Sequence, residues 1–274
     1  MLQATDLGVT LGRKPVLAAV RFTALPGALT AIVGPNGSGK TTLLRALTGD
    51  IRFSGQCHLN GHAIAQTKPW VLAAMRAVLP QATPLSFPFT VLEVVRLGLA
   101  ADLETGPDSD PDSGPEPGRD LPMQALARVG LTGFEGRLYQ ELSGGEQQRV
   151  QLARVLVQVW KPVAQGSPRW LFLDEPVSSL DLGHQLMVMR IARAFADAGG
   201  GVVAVMHDLN LTAMFADSVA LLAGGRLIGQ DSPAAILTDD LLTRAYACRV
   251  QVNTPPARGP YILPQAATPL TAHR

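Results

Sequence analysis

The sequence predicts an α/β fold organised around a buried, mostly parallel sheet, and three stretches carry that expectation. ALTAIVG (28–34) is an apolar run that ends in glycine and leads into a helix-like segment, KTTLLRALTG (40–49). RWLFLD (169–174) and GVVAVMH (201–207) are nearly all apolar, as strands covered on both faces should be. The 274 residues suffice for one large α/β domain or two small ones, with a sizeable core.

Residues 2 to 33 read as short strands, the last being the run before Gly34. The helix at 40–49 stops at Gly49, where a C-terminal cap suits glycine. SGQCHLNG (54–61) reads as an exposed hairpin, and KPWVLAAMRAVLPQ (68–81) as a helix followed by a strand ending near Gln81. TVLEVVRLGL (90–99) and MQALARVGL (123–131) are helical. Between them, DLETGPDSDPDSGPEPGRD (102–120) is too rich in Asp, Glu, Pro and Gly to bury apolar surface, and a mobile, solvated loop is expected. Further on, Leu152, Val155, Leu156 and Val159 fall on one helical face. SVALLAGGRLIGQ (218–230) reads as a hairpin turning at Gly224-Gly225. DSPAAIL (231–237) starts a helix with Ser232 as cap and Pro233 in the first turn. The end, from Asn253 onward, holds one short strand at Tyr261 to Leu263 and then a loose tail.

Composition narrows the function. A formal net charge of +1 gives no support for nucleic-acid binding. Cys57 and Cys248 lack metal or redox spacing and read as two reduced thiols. MLQATDLGVT has no basic start followed by an apolar run, and no window approaches 18 uninterrupted apolar residues. Work at a membrane would need another chain as anchor.

GPNGSGKT (34–41) fits G-x-x-x-x-G-K-[ST] and lies between an expected strand and an expected helix. Gly34, Pro35, Asn36, Gly37, Ser38 and Gly39 form the loop, whose backbone N–H groups can wrap a phosphate at a helix start. Lys40 can reach the β- and γ-phosphates, Thr41 can ligate Mg²⁺, and Thr42 follows in the helix. RWLFLDE (169–175) delivers Asp174 to a strand end, where it can hold Mg²⁺ through water, with Glu175 next as a candidate general base. In ELSGGEQQRV (141–150), Ser143 is a good N-cap, but two consecutive glycines cost helix stability and suggest that the backbone there must touch something.

The order GPNGSGKT, Gln81, LSGGE, LFLDEP, SSLD and His207 resembles the ATP-binding cassette of ABC transporters over roughly residues 1 to 250. The resemblance implies a P-loop NTPase (RecA-like) core, an N-terminal antiparallel β subdomain and an inserted α-helical subdomain at about 83–155, with 251–274 as a C-terminal extension. It implies that Leu142, Ser143, Gly144, Gly145 and Glu146 form a signature facing the γ-phosphate of ATP held by a second copy. It further implies that Gln81 contacts Mg²⁺ or the water and senses a membrane partner. Asp181 would carry contacts across the dimer, a role compatible with capping a helix. His207 would contact the γ-phosphate and steady the water beside Glu175. The chain departs from the family pattern near Leu11, where an aromatic residue that stacks on adenine is usual.

A single cassette without a membrane segment resembles a bacterial importer subunit. RAVLPQATPLSFPFTVLEVVRLG (76–98) is similar to cassettes of the siderophore, vitamin B12 and heme importers, and ATPLSFPFTV within it would lie in the cleft that receives a permease helix. LRALTGDI, LPQ followed by LSFPFTV, and VAQGSPRWLFLDEPVSSLDLGHQ most resemble the hemin group, with siderophore or B12 import as the alternative. The resemblance implies ATP and Mg²⁺, a homodimer, two integral-membrane permease subunits, a periplasmic heme-binding protein, no nucleic acid, and a peripheral place on the cytoplasmic side of the inner membrane. A soluble relative acting on DNA or ribosomes would carry a coiled coil or two cassettes. LSGGE and the lack of N-K-x-D argue against a kinase or GTPase.

Overall fold

A computed structural model describes residues 1–81, 87–99 and 120–267. The chain opens with long antiparallel strands β1 (Leu2–Leu11) and β2 (Lys14–Ala24), then the fully buried β3 (Leu29–Val33). Helix α1 (Lys40–Thr48) ends at Gly49, which takes the left-handed cap that its position in the sequence suggested. β4 (Ser54–Leu59) and β5 (His62–Ala63) form the hairpin expected at 54–61. That hairpin is not simply exposed, because Cys57 and Leu59 point into the core. Helix α2 (Pro69–Met75) runs straight into β6 (Arg76–Leu79).

Among the described residues, helices α3 (Val91–Arg96), α4 (Leu121–Arg128) and α5 (Gly144–Gln158) follow. The acidic stretch 102–119, and 82–86 of the segment after Gln81, lie outside the described residues. Beyond α5, β7 (Val163–Ala164) and β8 (Ser167–Pro168) make a small hairpin before β9 (Trp170–Asp174). Then come α6 (Leu182–Asp197), β10 (Gly201–Val205), α7 (Leu209–Phe215), β11 (Ser218–Ala223) and β12 (Arg226–Asp231). The last helices are α8 (Pro233–Ile236) and α9 (Asp239–Tyr246).

The strands form an antiparallel sheet, β2-β1-β4-β5, and a six-stranded sheet, β12-β11-β3-β10-β9-β6. All neighbours in the second sheet are parallel except the β11–β12 hairpin. Period-2 alternation divides the central strands between two cores. Trp170 and Phe172 of β9, with Val203 and Val205 of β10, pack with α1 and the antiparallel sheet. Leu171 and Leu173, with Val202 and Ala204, pack against the helices on the other face. This double burial explains why those strands read as continuous apolar runs. Leu152, Val155, Leu156 and Val159 are all buried in the second core, as their helical spacing suggested.

Two local expectations need correction. No strand forms at Tyr261 to Leu263, which are exposed. Pro255, Pro256, Pro260 and Pro264 flank the segment and cannot donate ladder bonds, and a 3₁₀ turn at Pro264–Ala266 follows instead. Ser232 occupies the cap position of α8, but its side chain makes no capping bond and the helix lasts only four residues.

Candidate functional site

The parallel register brings the C-terminal ends of β3, β9, β10 and β6 to one edge of the central sheet. In an open α/β sheet that edge is where ligands bind. Gly34 leaves β3 at φ 149° beside the carbonyl of Leu222, where a Cβ would lie 1.9 Å from the oxygen. Only glycine fits there. The loop then rises through Pro35 to Asn36 and Gly37, exposed at its tip, and returns through Ser38 and Gly39 to Lys40, the first residue of α1. The Ser38 carbonyl accepts a bond from Gly225 N at 3.2 Å, which ties the loop to the β11–β12 turn. Ser38 Oγ is buried without a hydrogen-bond partner, an orphan that a bound phosphate oxygen would satisfy. Thr42 lies half-buried in the first turn of α1.

Lys40 is only 6% exposed, and its Nζ folds back over the loop to donate to Gly34 O at 2.9 Å and Pro35 O at 3.1 Å. Burial lowers its pKa, opposed by the charges of Glu175 and Asp174. Thr41 Oγ1 donates to Asp174 Oδ1 at 3.1 Å, so the two residues expected to flank a metal already touch. Burial raises the Asp174 pKa, and the Glu175 charge adds to that rise while the Thr41 bond opposes it.

Glu175 follows β9 with its backbone at φ 52°. Its Oε1 lies 2.6 Å from His207 Nε2, and its Oε2 accepts from Gln81 Nε2 at 2.9 Å. Gln81 thus meets Glu175 through its amide nitrogen. His207 stands two residues beyond β10, and the next residue, Asp208, caps α7 by accepting from Asn210 N and Leu211 N, fixing the chain just after the imidazole.

A second group of expected residues surrounds the start of α5. Leu142 is buried, and Ser143 and Glu146 form a reciprocal capping box. Glu146 Oε2 accepts from Ser143 N at 2.8 Å and Ser143 Oγ at 2.7 Å, and these bonds depress the Glu146 pKa. The two glycines differ. A Cβ on Gly145 would sit 3.2 Å from Leu180 Cδ2 and 3.3 Å from Ser179 O, so its own chain explains it. A Cβ on Gly144 would meet nothing within 4 Å. No hydrogen bond among the described residues links Ser143, Gly144 or Gly145 to the chain's own phosphate loop. Asp181 caps α6, accepting from His184 N at 2.9 Å, and this bond and the ring of His184 depress its pKa.

Three contributors escaped the sequence reading. His184 Nδ1 packs against both oxygens of Asp181, at 2.9 and 2.8 Å. Arg149 is buried and donates to Val129 O and Gly130 O at 3.2 Å, joining α5 to the end of α4. Gln148 donates to Glu175 O at 3.0 Å. Polar residues on a helix otherwise facing a core were the available signal. Leu11, half exposed next to the β1–β2 turn, has no aromatic character to offer a base.

The ABC transporter family model matches residues 17–178. The hemin import ATP-binding protein HmuV of Jannaschia sp. (strain CCS1) is 61% identical over 273 residues, covering 97% of this chain and 95% of that protein. That of Roseobacter denitrificans is 57% identical, with 98% and 99% covered. Among solved structures, an ATP-binding subunit of an ABC transporter superposes with TM-score 0.73 at 23% identity, covering 91% of this chain and 94% of that one. An inward-facing putative metal-chelate type ABC transporter superposes with TM-score 0.71 at 26% identity, covering 90% and 89%. With a phosphate loop, a paired acidic strand end and a capped glycine helix start on this fold, the chain belongs to the ABC transporter family.

Proposed function

We propose that this chain is the ATP-hydrolysing subunit of a hemin importer, acting as a homodimer beneath two integral-membrane permease subunits. The observation that carries the chemistry is Glu175, held between His207 and Gln81 at the edge of the phosphate loop. The hemin assignment draws on the hemin importer ATP-binding proteins, whose likeness extends over nearly the whole chain. No described helix is long and apolar enough to cross a membrane, which suits a subunit docked peripherally on the cytoplasmic side of the inner membrane. A periplasmic heme-binding protein would deliver cargo to the permease.

Backbone N–H groups from Asn36 to Thr41 cradle the phosphates, with Lys40 turning from its own loop carbonyls to the β- and γ-phosphates. Thr41 and Asp174 supply a hydroxyl and a carboxylate, hard oxygen donors that suit a water-rich Mg²⁺ site, with Gln81 close by. Mg²⁺ bound there would neutralise charge on the phosphate oxygens. Glu175 accepts a proton from the attacking water, and His207 orients both.

Ser143, Gly144 and Gly145 complete the partner's site, each copy sandwiching ATP against the other's loop, and Asp181 lies on the seam. ATP closes the dimer because two half-sites bind its γ-phosphate better than one. Hydrolysis removes that bridge, and the dimer reopens. Transport in vesicles holding this chain and its permease tests the reading. ATP-dependent uptake of hemin, but not of a ferric siderophore or B12, is expected. Uptake of either of the others instead of hemin refutes the cargo.

A further inference from the structure

Glu175 carries a side chain in the left-handed backbone region, at φ 52°. Such a conformation persists only where the surroundings over-determine it. Its N–H donates to Val205 O at 3.2 Å, across the neighbouring strand β10. Its carbonyl accepts from Ser178 N at 3.4 Å and Ser178 Oγ at 3.2 Å, both within the same turn. The shortest bond to that carbonyl comes from elsewhere: Gln148 Nε2, at 3.0 Å, from helix α5.

Among the described residues, the Gln148 side chain makes no other hydrogen bond. Its Oε1 is buried with no hydrogen-bond partner, an unfavourable state that the Nε2 bond to Glu175 offsets. Gln148 stands one turn beyond Gly144, on the helix whose capped start holds Ser143 and Glu146. At that same start, Gly145 approaches Ser179 O and Leu180 of the loop that follows Glu175. Helix α5 and the 175–181 loop are therefore packed together at two points, one of them the peptide that aims the carboxylate.

We propose that Gln148 is a positioning residue that holds the Glu175 peptide in its left-handed conformation, tying the aim of the Glu175 carboxylate to the orientation of the helix that begins at Gly144. The inference rests on the reading of Glu175 as general base. Without the amide donor, the Glu175 carbonyl keeps only the bonds from Ser178 within its own turn. The carboxylate then samples orientations in which it no longer meets both His207 and the water. Phosphate binding, which depends on the loop and Lys40, is untouched.

The test uses the full chain assembled with its permease. Gln148→Met keeps the length and removes the donor. Gln148→Glu keeps the shape and presents an oxygen to the carbonyl. Both are expected to lower kcat for ATP by about tenfold or more, as misplacement of a catalytic group does. The KM for ATP should stay within about twofold, because the lost interaction acts on the chemical step. Thermal unfolding of Gln148→Met should not move downward, since the orphaned Oε1 goes with the donor. The use of two variants keeps the test open should one of them fail to fold. An unchanged kcat in a folded variant overturns the proposal, and so does a kcat loss matched by an equal loss of folded protein or a parallel rise in KM. Glu175→Gln is measured alongside. Normal turnover in Glu175→Gln refutes the general-base reading itself. An inactive Glu175→Gln with fully active Gln148 variants refutes only the role of Gln148.

Discussion

His207 Nε2 sits 2.6 Å from one oxygen of Glu175, and the other oxygen accepts from Gln81 at 2.9 Å. The three side chains arrive from the ends of three adjacent parallel strands, β10, β9 and β6. The carboxylate is thus gripped on both sides. In the proposed role of general base, a carboxylate held in this way needs little reorganisation when water is activated, and electrostatic preorganisation of that kind accounts for much of enzymatic rate enhancement.

Replacing Glu175 by Gln keeps the shape and one accepting oxygen while removing the proton acceptor. Hydrolysis is expected to fall by about 10²–10⁴-fold, the usual contribution of a positioned general base. ATP binding should persist, and ATP-dependent dimers should accumulate on size-exclusion chromatography. Phosphate release at the wild-type rate would remove Glu175 from the role.

Asp174 should trade stability for function. Burial lifts its pKa, so the folded chain holds the Asp174 proton more tightly than the unfolded chain. Ionised Asp174 therefore costs stability, and the cost grows as pH rises through the ordinary carboxylate range. Asn at this position can still accept from Thr41 without carrying a charge. Asp174→Asn is expected to stabilise the nucleotide-free chain by about 1 kcal/mol at neutral pH, a gain that shrinks toward acid pH, while abolishing hydrolysis. Thermal unfolding at pH 4 and pH 7 checks the direction, and a lower melting temperature at pH 7 contradicts it.

Most of this could be read in advance where chemistry demands particular residues at particular spacings. The phosphate loop was legible because Gly34 cannot carry a Cβ against Leu222 O, and the double burial of Trp170 to Leu173 dictates an unbroken apolar run. Contacts between distant segments were not legible. Nothing local in EQQRV says that Gln148 reaches the carbonyl of Glu175, 27 residues away. The Tyr261–Leu263 run looked strand-like because pattern reading counts apolar residues, whereas a strand also needs a partner and free N–H groups. The glycine pair was legible as an anomaly but only half explained, since Gly145 answers to Leu180 of its own chain.

The two cysteines should separate by reactivity. Cys57 is buried within the antiparallel sheet, and its thiol is pushed up to about 12 by that burial, whereas Cys248 is exposed. At pH 8 a thiol reagent should modify one cysteine quickly in the native chain and the second only on unfolding. Stability should also fall as pH climbs from about 8.5, where the unfolded thiol ionises, towards the folded value. Rapid labelling of two thiols in native protein would show that the β4 face opens.

Gly144 and Gly145 give the sharpest separation of fold from function. Gly144 lies in the first turn of α5, with helical rather than left-handed backbone and open space where a Cβ would go. Alanine is the better helix residue there, so Gly144→Ala is expected to leave the isolated chain as stable or more so, by up to about 0.5–1 kcal/mol. In the proposed dimer the added methyl stands where the partner's γ-phosphate approaches the backbone, and turnover with permease should fall at least about tenfold. Gly145→Ala differs, because its methyl meets Leu180 Cδ2 at 3.2 Å and Ser179 O at 3.3 Å within the same chain. That variant should lose both stability and activity. Melting curves and ATPase rates of the two variants, taken together, decide the matter: a Gly144→Ala chain that is both stable and fully active would mean that no phosphate comes near that backbone.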